Sequence, residues 1–359
     1  MESILNFNIK EIENIFVSNN IKKFKAGEIY RWIYNKFIFN FDLMSNISKF
    51  ERKWLSENYK IIDIEVTNTK ISEIENTIKF LFKTFDNEYV ESVLIKSKDR
   101  NTICVSSQIG CSLGCKFCAT GKLGFIRNLK VSEILSQILI ISKYLVEKEN
   151  KKITNIVYMG MGEPFLNYDN VLKSIYILNN KRGFNLGARH ITVSTAGIIS
   201  GINKLKKERL QIRLAVSLNS PFQNIRERIM PVARKYNLDD LLDSLREYQR
   251  IKNKKITFEY VLMHQINTSE KDIIKLKSIL KNFIYNLNII KYNPMYRGDE
   301  LEPTTKEVNI FKRLLQKYNI NYTERLSKGS SIAAGCGQLG LEKKLENITI
   351  SKLNKKLIK

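Results

Sequence analysis

The feature that most constrains the fold of this chain is a regular alternation of strand-like and helix-like segments from residue 131 onward. Runs of β-branched and other apolar residues alternate with longer segments whose apolar residues recur at helical spacing. The predicted strands are residues 153–159, 190–194, 212–218, 255–263, 287–292 and 321–326. The predicted helices are residues 131–148, 168–180, 198–207, 224–230, 238–251, 270–283 and 306–318. Repeated β-then-α units predict a parallel sheet covered by helices.

Six such units, counting the predicted strand 102–107 before the cysteine cluster, fit a partial (β/α)6 barrel rather than the eight units of a closed barrel. We expect four parts: a helical accessory domain, a β-rich connecting segment, the barrel core, and a C-terminal segment that ends in a Lys-rich tail (342–359). Their ranges are residues 1–60, 61–96, 97–330 and 331–359. Within the first part, a helix is predicted over residues 26–37. Its aromatic residues lie near lysines and could bind RNA, but helix-spaced aromatics are more often core.

The charge of the chain permits a polyanionic partner without requiring one. Lys and Arg number 60 against 36 Asp and Glu, which gives a formal charge of +24. Lys, Ile and Asn have AT-rich codons, so genome composition can account for part of the excess. The rest is compatible with RNA. Because no secretion signal opens the chain and no apolar run is long enough to span a bilayer, we expect a soluble cytoplasmic protein.

The cysteines point to a metal cluster. Four of the five crowd into one short segment, and the fifth lies far away: Cys104, Cys111, Cys115, Cys118 and Cys336. The spacing C-x₃-C-x₂-C follows a predicted strand, and three thiolates on one loop can hold three irons of a 4Fe–4S cluster. The fourth iron is then open to chelate S-adenosylmethionine (SAM). Zinc is the alternative, but it usually takes four Cys or His ligands, and both histidines lie far from this segment in the sequence.

A second motif, Gly160-Met161-Gly162-Glu163-Pro164, follows the predicted strand 153–159. Glycines at a strand exit let the backbone approach a ligand closely, and Glu163 can accept hydrogen bonds from the ammonium group of a methionine moiety. Alone, this motif could be an ordinary turn. Together with the cysteine spacing and the aromatic Phe117 before the third cysteine, it resembles the radical SAM superfamily.

Further segments along nearly the whole chain resemble one family, the adenine carbon-2 methyltransferases of 23S rRNA and tRNA (RlmN family). These segments are residues 104–111, 121–125, 160–164, 194–197, 217–219, 292–294 and 335–339. The resemblance implies a radical SAM barrel with a small N-terminal helical domain and a β-extension. It also implies methylation of an adenosine in the peptidyl-transferase centre of 23S rRNA and of an adenosine in some tRNAs, with two SAM molecules per turnover.

The resemblance assigns roles to individual residues. Cys336 takes a methyl group from SAM and carries it to the adenine, Cys104 releases the product by closing a disulfide with Cys336, and Glu91 is the proton acceptor. The cluster ligands it implies are Cys111, Cys115 and Cys118. The SAM-binding residues it implies are Gly162, Glu163, Ser194, Ser217, Leu218, Asn219 and Asn293. Cysteine residues in such roles must be available as thiolates; an isolated Cys104 or Cys336 would instead be a small buried apolar residue.

The expected partners are 23S rRNA, tRNA and an electron donor such as flavodoxin or ferredoxin, with no membrane, and the protein is expected to be a monomer. A carbon-8 methyltransferase of the same adenosine and an activase that installs a glycyl radical on a partner protein remain alternative enzymes. A non-enzymatic iron–sulfur or zinc RNA-binding module is a third alternative.

Three positions depart from the family pattern. Asn219 stands where the family usually has His, and Asn does not titrate near neutrality. Ser331 stands where an Asp is usual, so the loop before Cys336 lacks an acidic residue. Gly335 replaces Ala, and we expect it to loosen that loop.

Overall fold

The N-terminal segment folds into three short helices, in which apolar residues recur at helical spacing. These helices are α1 (Ile9–Ser18), α2 (Lys25–Tyr30) and α3 (Lys49–Asn58). Reciprocal side-chain and backbone hydrogen bonds form capping boxes at the start of α1 and of α3.

The computed structural model describes residues 1–340, and the predicted Lys-rich tail lies outside them.

The helix predicted over residues 26–37 is present, and it combines α-helical and π-helical geometry. It begins as α2 and continues as one π-helical turn, Arg31–Asn35. Ile29 and Ile33 are fully buried, and Trp32 is half-buried with the Lys36 ammonium 3.6 Å from its ring centroid. The aromatic and aliphatic residues of this segment therefore belong to the core, as predicted.

Fourteen strands follow from the β-type segments of the sequence, within the described residues. They are β1 (Glu2–Ser3), β2 (Tyr59–Lys60), β3 (Ile64–Ser72), β4 (Thr77–Thr84), β5 (Tyr89–Ser97), β6 (Arg100–Cys104), β7 (Gln108–Gly110), β8 (Phe125–Asn128), β9 (Asn155–Tyr158), β10 (Ile191–Thr195), β11 (Arg213–Ser217), β12 (Ile256–Leu262), β13 (Tyr285–Lys291) and β14 (Thr323–Glu324). Ten of them form one sheet in the order β14-β13-β12-β11-β10-β9-β6-β5-β4-β3.

This sheet has two halves that meet at β6. From β6 to β14 every neighbouring pair is parallel, and from β3 to β6 every pair is antiparallel. The helices that follow are α4 (Ala119–Lys122), α5 (Val131–Glu149), α6 (Tyr168–Asn179), α7 (Ile199–Lys207), α8 (Gln223–Ile229), α9 (Leu238–Lys252), α10 (Glu270–Leu280) and α11 (Thr305–Lys317). The six predicted βα units are confirmed, and β3–β5 form the predicted β-extension.

The parallel half curls into a partial barrel. The Arg325 side chain, just after β14, donates from Nη1 to the Met159 sulfur (3.2 Å), just after β9. Four strands separate β14 from β9 in the sheet, so this contact requires the sheet to bend around an interior space. Because the carboxyl ends of parallel strands meet at one rim, the motifs that follow these strands converge there.

One continuous cluster of buried apolar side chains runs from the N-terminal helices into the barrel wall. In residues 1–340, no helix is both long and apolar enough to cross a lipid bilayer.

Candidate active site

The three clustered cysteines lie on the loop between β7 and α4. β7 pairs with β8 in a small antiparallel sheet that supports this loop. The amide of Cys111 donates to the carbonyl of Gly124 (2.8 Å), and the amide of Lys116 donates to the carbonyl of Ile229 (3.0 Å). The loop is thus fixed on one side by the segment after α4 and on the other by α8.

The chemistry of these thiols fits an iron–sulfur cluster. Burial is the main cause that raises the pKa of Cys111 to about 12 and the pKa of Cys115 well above its ordinary value, and the charge of the neighbouring Cys118 thiolate raises both. Such mutually repelling thiolates are stabilised by a bound metal. In residues 1–340, no three His, Cys, Asp or Glu side chains converge on a single ion. A 4Fe–4S cluster takes one thiolate per iron, so three separate thiols fit one with an open iron.

A buried cation that the sequence did not reveal lies behind this loop. Arg226 on α8 is 1% exposed, and its Nη1 donates to the carbonyls of Ser217 (3.0 Å) and Leu218. Its positive charge opposes the rise in the pKa of Cys115. The short helix α8 carries two arginines, Arg226 and Arg228, and no local pattern marks which of them is buried.

The glycine-rich motif packs against the strand exit that leads to the cysteines. The Ser106 hydroxyl accepts a hydrogen bond from the Met161 amide (2.8 Å), and the Gln108 side chain accepts one from the Glu163 amide (2.8 Å). Gly162 has φ +93°, and a Cβ there would lie 2.4 Å from the Gln108 side chain, so only glycine fits.

Glu163 is buried, and this burial raises its pKa to about 7. Its carboxylate accepts hydrogen bonds from the amides of Phe165 (3.1 Å) and Ala196 (2.8 Å). The carboxylate therefore joins the exits of β9 and β10 at the rim, next to the cysteine loop.

The other predicted SAM-binding residues also lie at strand ends on this rim. Ser194 is on β10, Ser217 ends β11, and Leu218 and Asn219 follow it. Asn219 is fully buried and has φ +55°, a conformation that Asn tolerates better than most residues. Its Oδ1 accepts a hydrogen bond from the Val261 amide (3.0 Å). At this position the Asn that replaces the usual His joins β11 to β12.

Cys104 and Cys336 line one cavity of 820 Å³ inside the barrel, and Cys118 lines it as well. Cys104 ends β6 and is buried, whereas Cys336 is exposed on the C-terminal loop, and both thiols are free. The pKa of Cys104 is raised to about 12, mainly by burial and also by the negative charge of Cys336, while the Arg325 guanidinium opposes the rise. The fold therefore brings together two thiols from opposite ends of the chain.

The segment of residues 329–340, called the Cys336 loop below, is held by three parts of the molecule. On the cysteine side, the Ala119 amide donates to the carbonyl of Gly337 (2.6 Å) and the Thr120 hydroxyl to that of Leu339 (2.7 Å). At the exit of β13, the Asn293 side chain donates to the carbonyl of Cys336 (3.0 Å). Asn293, predicted to bind SAM, thus also fixes the loop that carries the thiol.

The third anchor comes from the β-extension and replaces the missing acidic residue. Glu75, in the turn between β3 and β4, accepts hydrogen bonds from the amide of Ser331 (3.3 Å), from its hydroxyl, and from the Ser330 hydroxyl (3.1 Å). A Cβ at Gly335 would lie 2.8 Å from the Gln338 side chain. Gly335 is therefore closely packed against Gln338 in this loop.

Glu91 lies on β5 beneath the Cys336 loop, and both it and Lys79 are 3% exposed. Glu91 Oε2 accepts a hydrogen bond from the Gly340 amide (2.9 Å), and Oε1 lies 3.8 Å from the Lys79 ammonium. Lys79 also donates to the carbonyl of Ala333 (3.3 Å). The carboxylate predicted as proton acceptor thus forms a buried clamp on both ends of the loop.

Comparison with known proteins identifies the family. Residues 3–61 match the ribosomal RNA large subunit methyltransferase N-terminal domain, and residues 105–276 match the radical SAM superfamily. A probable dual-specificity RNA methyltransferase RlmN of Clostridium novyi is 43% identical over 94% of this chain and 98% of its own length. The chain belongs to the RlmN family. An RlmN of Dictyoglomus thermophilum is 44% identical over 94% of this chain and 97% of its own length.

A solved structure agrees with RlmN membership. The radical SAM methyltransferase from Sphaerobacter thermophilus superposes with a TM-score of 0.91 at 34% identity, over 95% of this chain and all of that one. Radical SAM proteins use a 4Fe–4S cluster held by cysteines together with SAM, and this chain shares both cofactors. The predicted family, barrel fold and cofactors are confirmed.

Several charged residues line the cavity of this RlmN-family protein, and sequence reasoning missed Glu259 and Arg325 among them. Glu259 lies in the predicted strand 255–263. A charged residue in a mainly apolar strand indicates a buried polar site, so the sequence does carry a signal for it. Arg325 lies in the last predicted strand, which has no such contrast. Its position became evident only from the curl of the barrel.

Proposed function

We propose that the protein is a dual-specificity RNA methyltransferase that methylates carbon 2 of an adenosine in the peptidyl-transferase centre of 23S rRNA and of an adenosine in some tRNAs. The single observation that carries this proposal is the cavity shared by Cys104 and Cys336, with Cys118 in its wall. Carbon 2 of adenine has no lone pair, so simple displacement cannot methylate it. Methylation of such a carbon is possible when one thiol of the protein carries the methyl group and a second thiol releases the product.

The residues that hold the cofactors are grouped at the rim of the barrel. Cys111, Cys115 and Cys118 are proposed to bind the cluster, and Gly162, Glu163, Ser194, Ser217, Leu218, Asn219 and Asn293 are proposed to bind SAM. When bound, these groups supply the methyl group and the radical chemistry that activates it. Arg226 balances the negative charge of the cysteine loop from its buried position.

Within the cavity, Cys336 is proposed to carry the methyl group as S-methylcysteine. Cys104 is proposed to attack the Cys336 sulfur, so that the sulfur–carbon bond to the RNA breaks as the disulfide forms and the carbon takes up a proton. Glu91 is the proposed acceptor of the ring proton. Glu91 is 3% exposed beneath the Cys336 loop and is not among the described residues that line the cavity, so this step requires the loop to move.

The proposed partners are 23S rRNA, tRNA and an electron donor such as flavodoxin or ferredoxin, and we propose that the protein acts as a monomer. Residues 1–60 are the proposed RNA-binding accessory domain beside the barrel of residues 97–330. Because the proposed substrates are ribosomal and transfer RNA, we propose the cytoplasm as the place of action.

The test is the analysis of rRNA and tRNA nucleosides from a strain without the gene. We expect 2-methyladenosine to disappear and to return when the gene is restored. Mass spectrometry with isomer standards separates 2-methyladenosine from 8-methyladenosine, so loss of the 8-isomer instead would favour the carbon-8 enzyme. Undiminished 2-methyladenosine in the deletion strain would contradict the proposal. Radical SAM activity that survives Cys336→Ala on a protein substrate would favour the activase.

A further inference from the structure

A row of polar residues crosses three neighbouring strands of the barrel. Ser217 on β11, Glu259 on β12 and Asn288 on β13 are neighbours in register. Glu259 and Asn288 line the cavity that also holds Cys104 and Cys336. The row therefore lies in the same space in which the proposed methyl transfer takes place.

Glu259 stands out in this row because it is incompletely paired. It is 5% exposed, and one carboxylate oxygen, Oε1, accepts a hydrogen bond from the Asn288 side chain (3.0 Å). The other, Oε2, has no hydrogen-bond partner among the described residues. Buried polar atoms are nearly always paired, and an unpaired carboxylate oxygen is costly. Because Glu259 lines the cavity, a ligand that enters the cavity can supply the donor that the described residues do not.

Arg325 supplies the counter-charge without satisfying that oxygen. Its guanidinium donates to the Met159 sulfur. The charge of Cys336 is the main cause of a raised pKa of Arg325, and the charge of Glu259 also raises it. Burial raises the pKa of Glu259, and Arg325 opposes that rise. No direct ion pair joins them within residues 1–340. The pair gives the site an anionic acceptor beside a cation, with little net charge.

We infer that Glu259 binds the target adenine, with Oε2 accepting a hydrogen bond from its exocyclic amino group. This inference rests on the proposed function, because the base whose carbon 2 is methylated must enter the cavity of Cys336. Carboxylates accept from base amino groups in other protein–nucleic acid contacts. Guanine presents an oxygen where adenine has the amino group, so a carboxylate there would repel it, which gives selectivity as well as affinity.

The adenosine of SAM carries the same amino group, so SAM is the alternative donor to Glu259. The two sources separate in one experiment, because SAM cleavage can be measured without RNA. The reconstituted enzyme is given an RNA fragment with adenosine at the target position or the same fragment with purine riboside, which lacks the amino group. The variants are E259L, which removes the acceptor, and E259Q, which keeps an acceptor oxygen. T257V, a cavity-lining change on the same strand, is the matched control.

With the adenosine fragment, we expect E259L to lower single-turnover methyl transfer about 10- to 100-fold, and E259Q to retain most of the rate. On the purine riboside fragment, the unmodified enzyme should transfer the methyl group more slowly than on the adenosine fragment, by a similar factor. E259L should then be no slower than the unmodified enzyme on purine riboside, because the amino group and its acceptor are coupled as in a double-mutant cycle. T257V should stay near the unmodified enzyme on both. Iron content and methylation of Cys336 in the purified variants report that each has folded.

Three results would overturn the inference. The first is methyl transfer by E259L at the normal rate, and the second is a loss by E259L, relative to the unmodified enzyme, that is equal on both RNA fragments. The third is loss of RNA-independent SAM cleavage by E259L, which would assign Glu259 to the adenosine of SAM. Failure of the unmodified enzyme to methylate the adenosine fragment would remove the proposed function itself, and the inference with it, and is a separate observation from any of these three.

Discussion

Two groups of cysteines carry the proposed chemistry, and they are built in opposite ways. Cys111, Cys115 and Cys118 lie on one short loop between β7 and α4, which backbone hydrogen bonds to Gly124 and Ile229 hold in place. Cys104 and Cys336 meet only because β6 ends at the cavity and the Cys336 loop is anchored to it from several sides. The first group is a local structure, whereas the second depends on the whole barrel. Changes at the two groups should therefore separate cofactor chemistry from methyl transfer.

The largest effect is expected at the local group. Cys115→Ala removes one of three cluster ligands, so we expect iron content, SAM cleavage and methyl transfer all to fall to background, a loss of at least about 10⁴-fold in rate. Iron analysis, reductive SAM cleavage and RNA methylation measure the three quantities on one preparation. Cys336→Ala is the matched variant: it should keep iron and SAM cleavage while losing methyl transfer. If both variants lose all three quantities, the two groups are not separable as described.

The next effect concerns release of the product. Cys104→Ala should keep the cluster and accept the methyl group, but it lacks the thiol that forms the disulfide with Cys336. We expect RNA to remain covalently attached to the purified variant and turnover to stop after one event. Nuclease digestion followed by mass analysis of the Cys336 peptide detects the adduct. Free, methylated RNA released at the normal rate by this variant would show that Cys104 has no such role.

The clamp beneath the Cys336 loop should give an intermediate effect. Lys79→Met removes the ammonium that lies 3.8 Å from Glu91 Oε1, and removal of one member of a buried ion pair costs about 3–5 kcal/mol in the free energy of unfolding. It also frees the loop at Ala333, so we expect methyl transfer to fall about 10- to 100-fold while SAM cleavage stays. Lys83→Met, a half-buried lysine on the same strand, is the control. Equal effects of the two substitutions would argue against the clamp.

The smallest effect should come from the serine that replaces the family's aspartate. Ser331→Asp places a second carboxylate next to Glu75, and we expect destabilisation of about 1 kcal/mol and a few-fold loss of methyl transfer. Adding Glu75→Ser should restore both, because the acidic residue then comes from the loop instead of the β-extension. Thermal unfolding and single-turnover transfer measure the pair. A single Ser331→Asp variant that is more stable than the unmodified protein would show that Glu75 does not substitute for the aspartate.

The same comparison explains what the sequence could predict. The cysteine spacing, the glycine-rich motif and the six βα units are repeated or local patterns, and the structure places them where they were expected. Long-range partners have no local pattern: Glu75 meets Ser331, and Arg325 crosses to Met159, only after the chain has folded. The close packing of Gly335 against the Gln338 and Asn293 side chains likewise has no local pattern, because these neighbours meet it only in the folded loop.

The central claim is that Cys336 carries a methyl group within reach of Cys104. The most direct measurement is mass analysis of the Cys336 peptide from reconstituted enzyme given methyl-labelled SAM and no RNA. The account predicts one labelled methyl group on the Cys336 sulfur, and its transfer to carbon 2 of adenosine when RNA and reductant are added. A preparation that methylates RNA while Cys336 stays unlabelled throughout would contradict it.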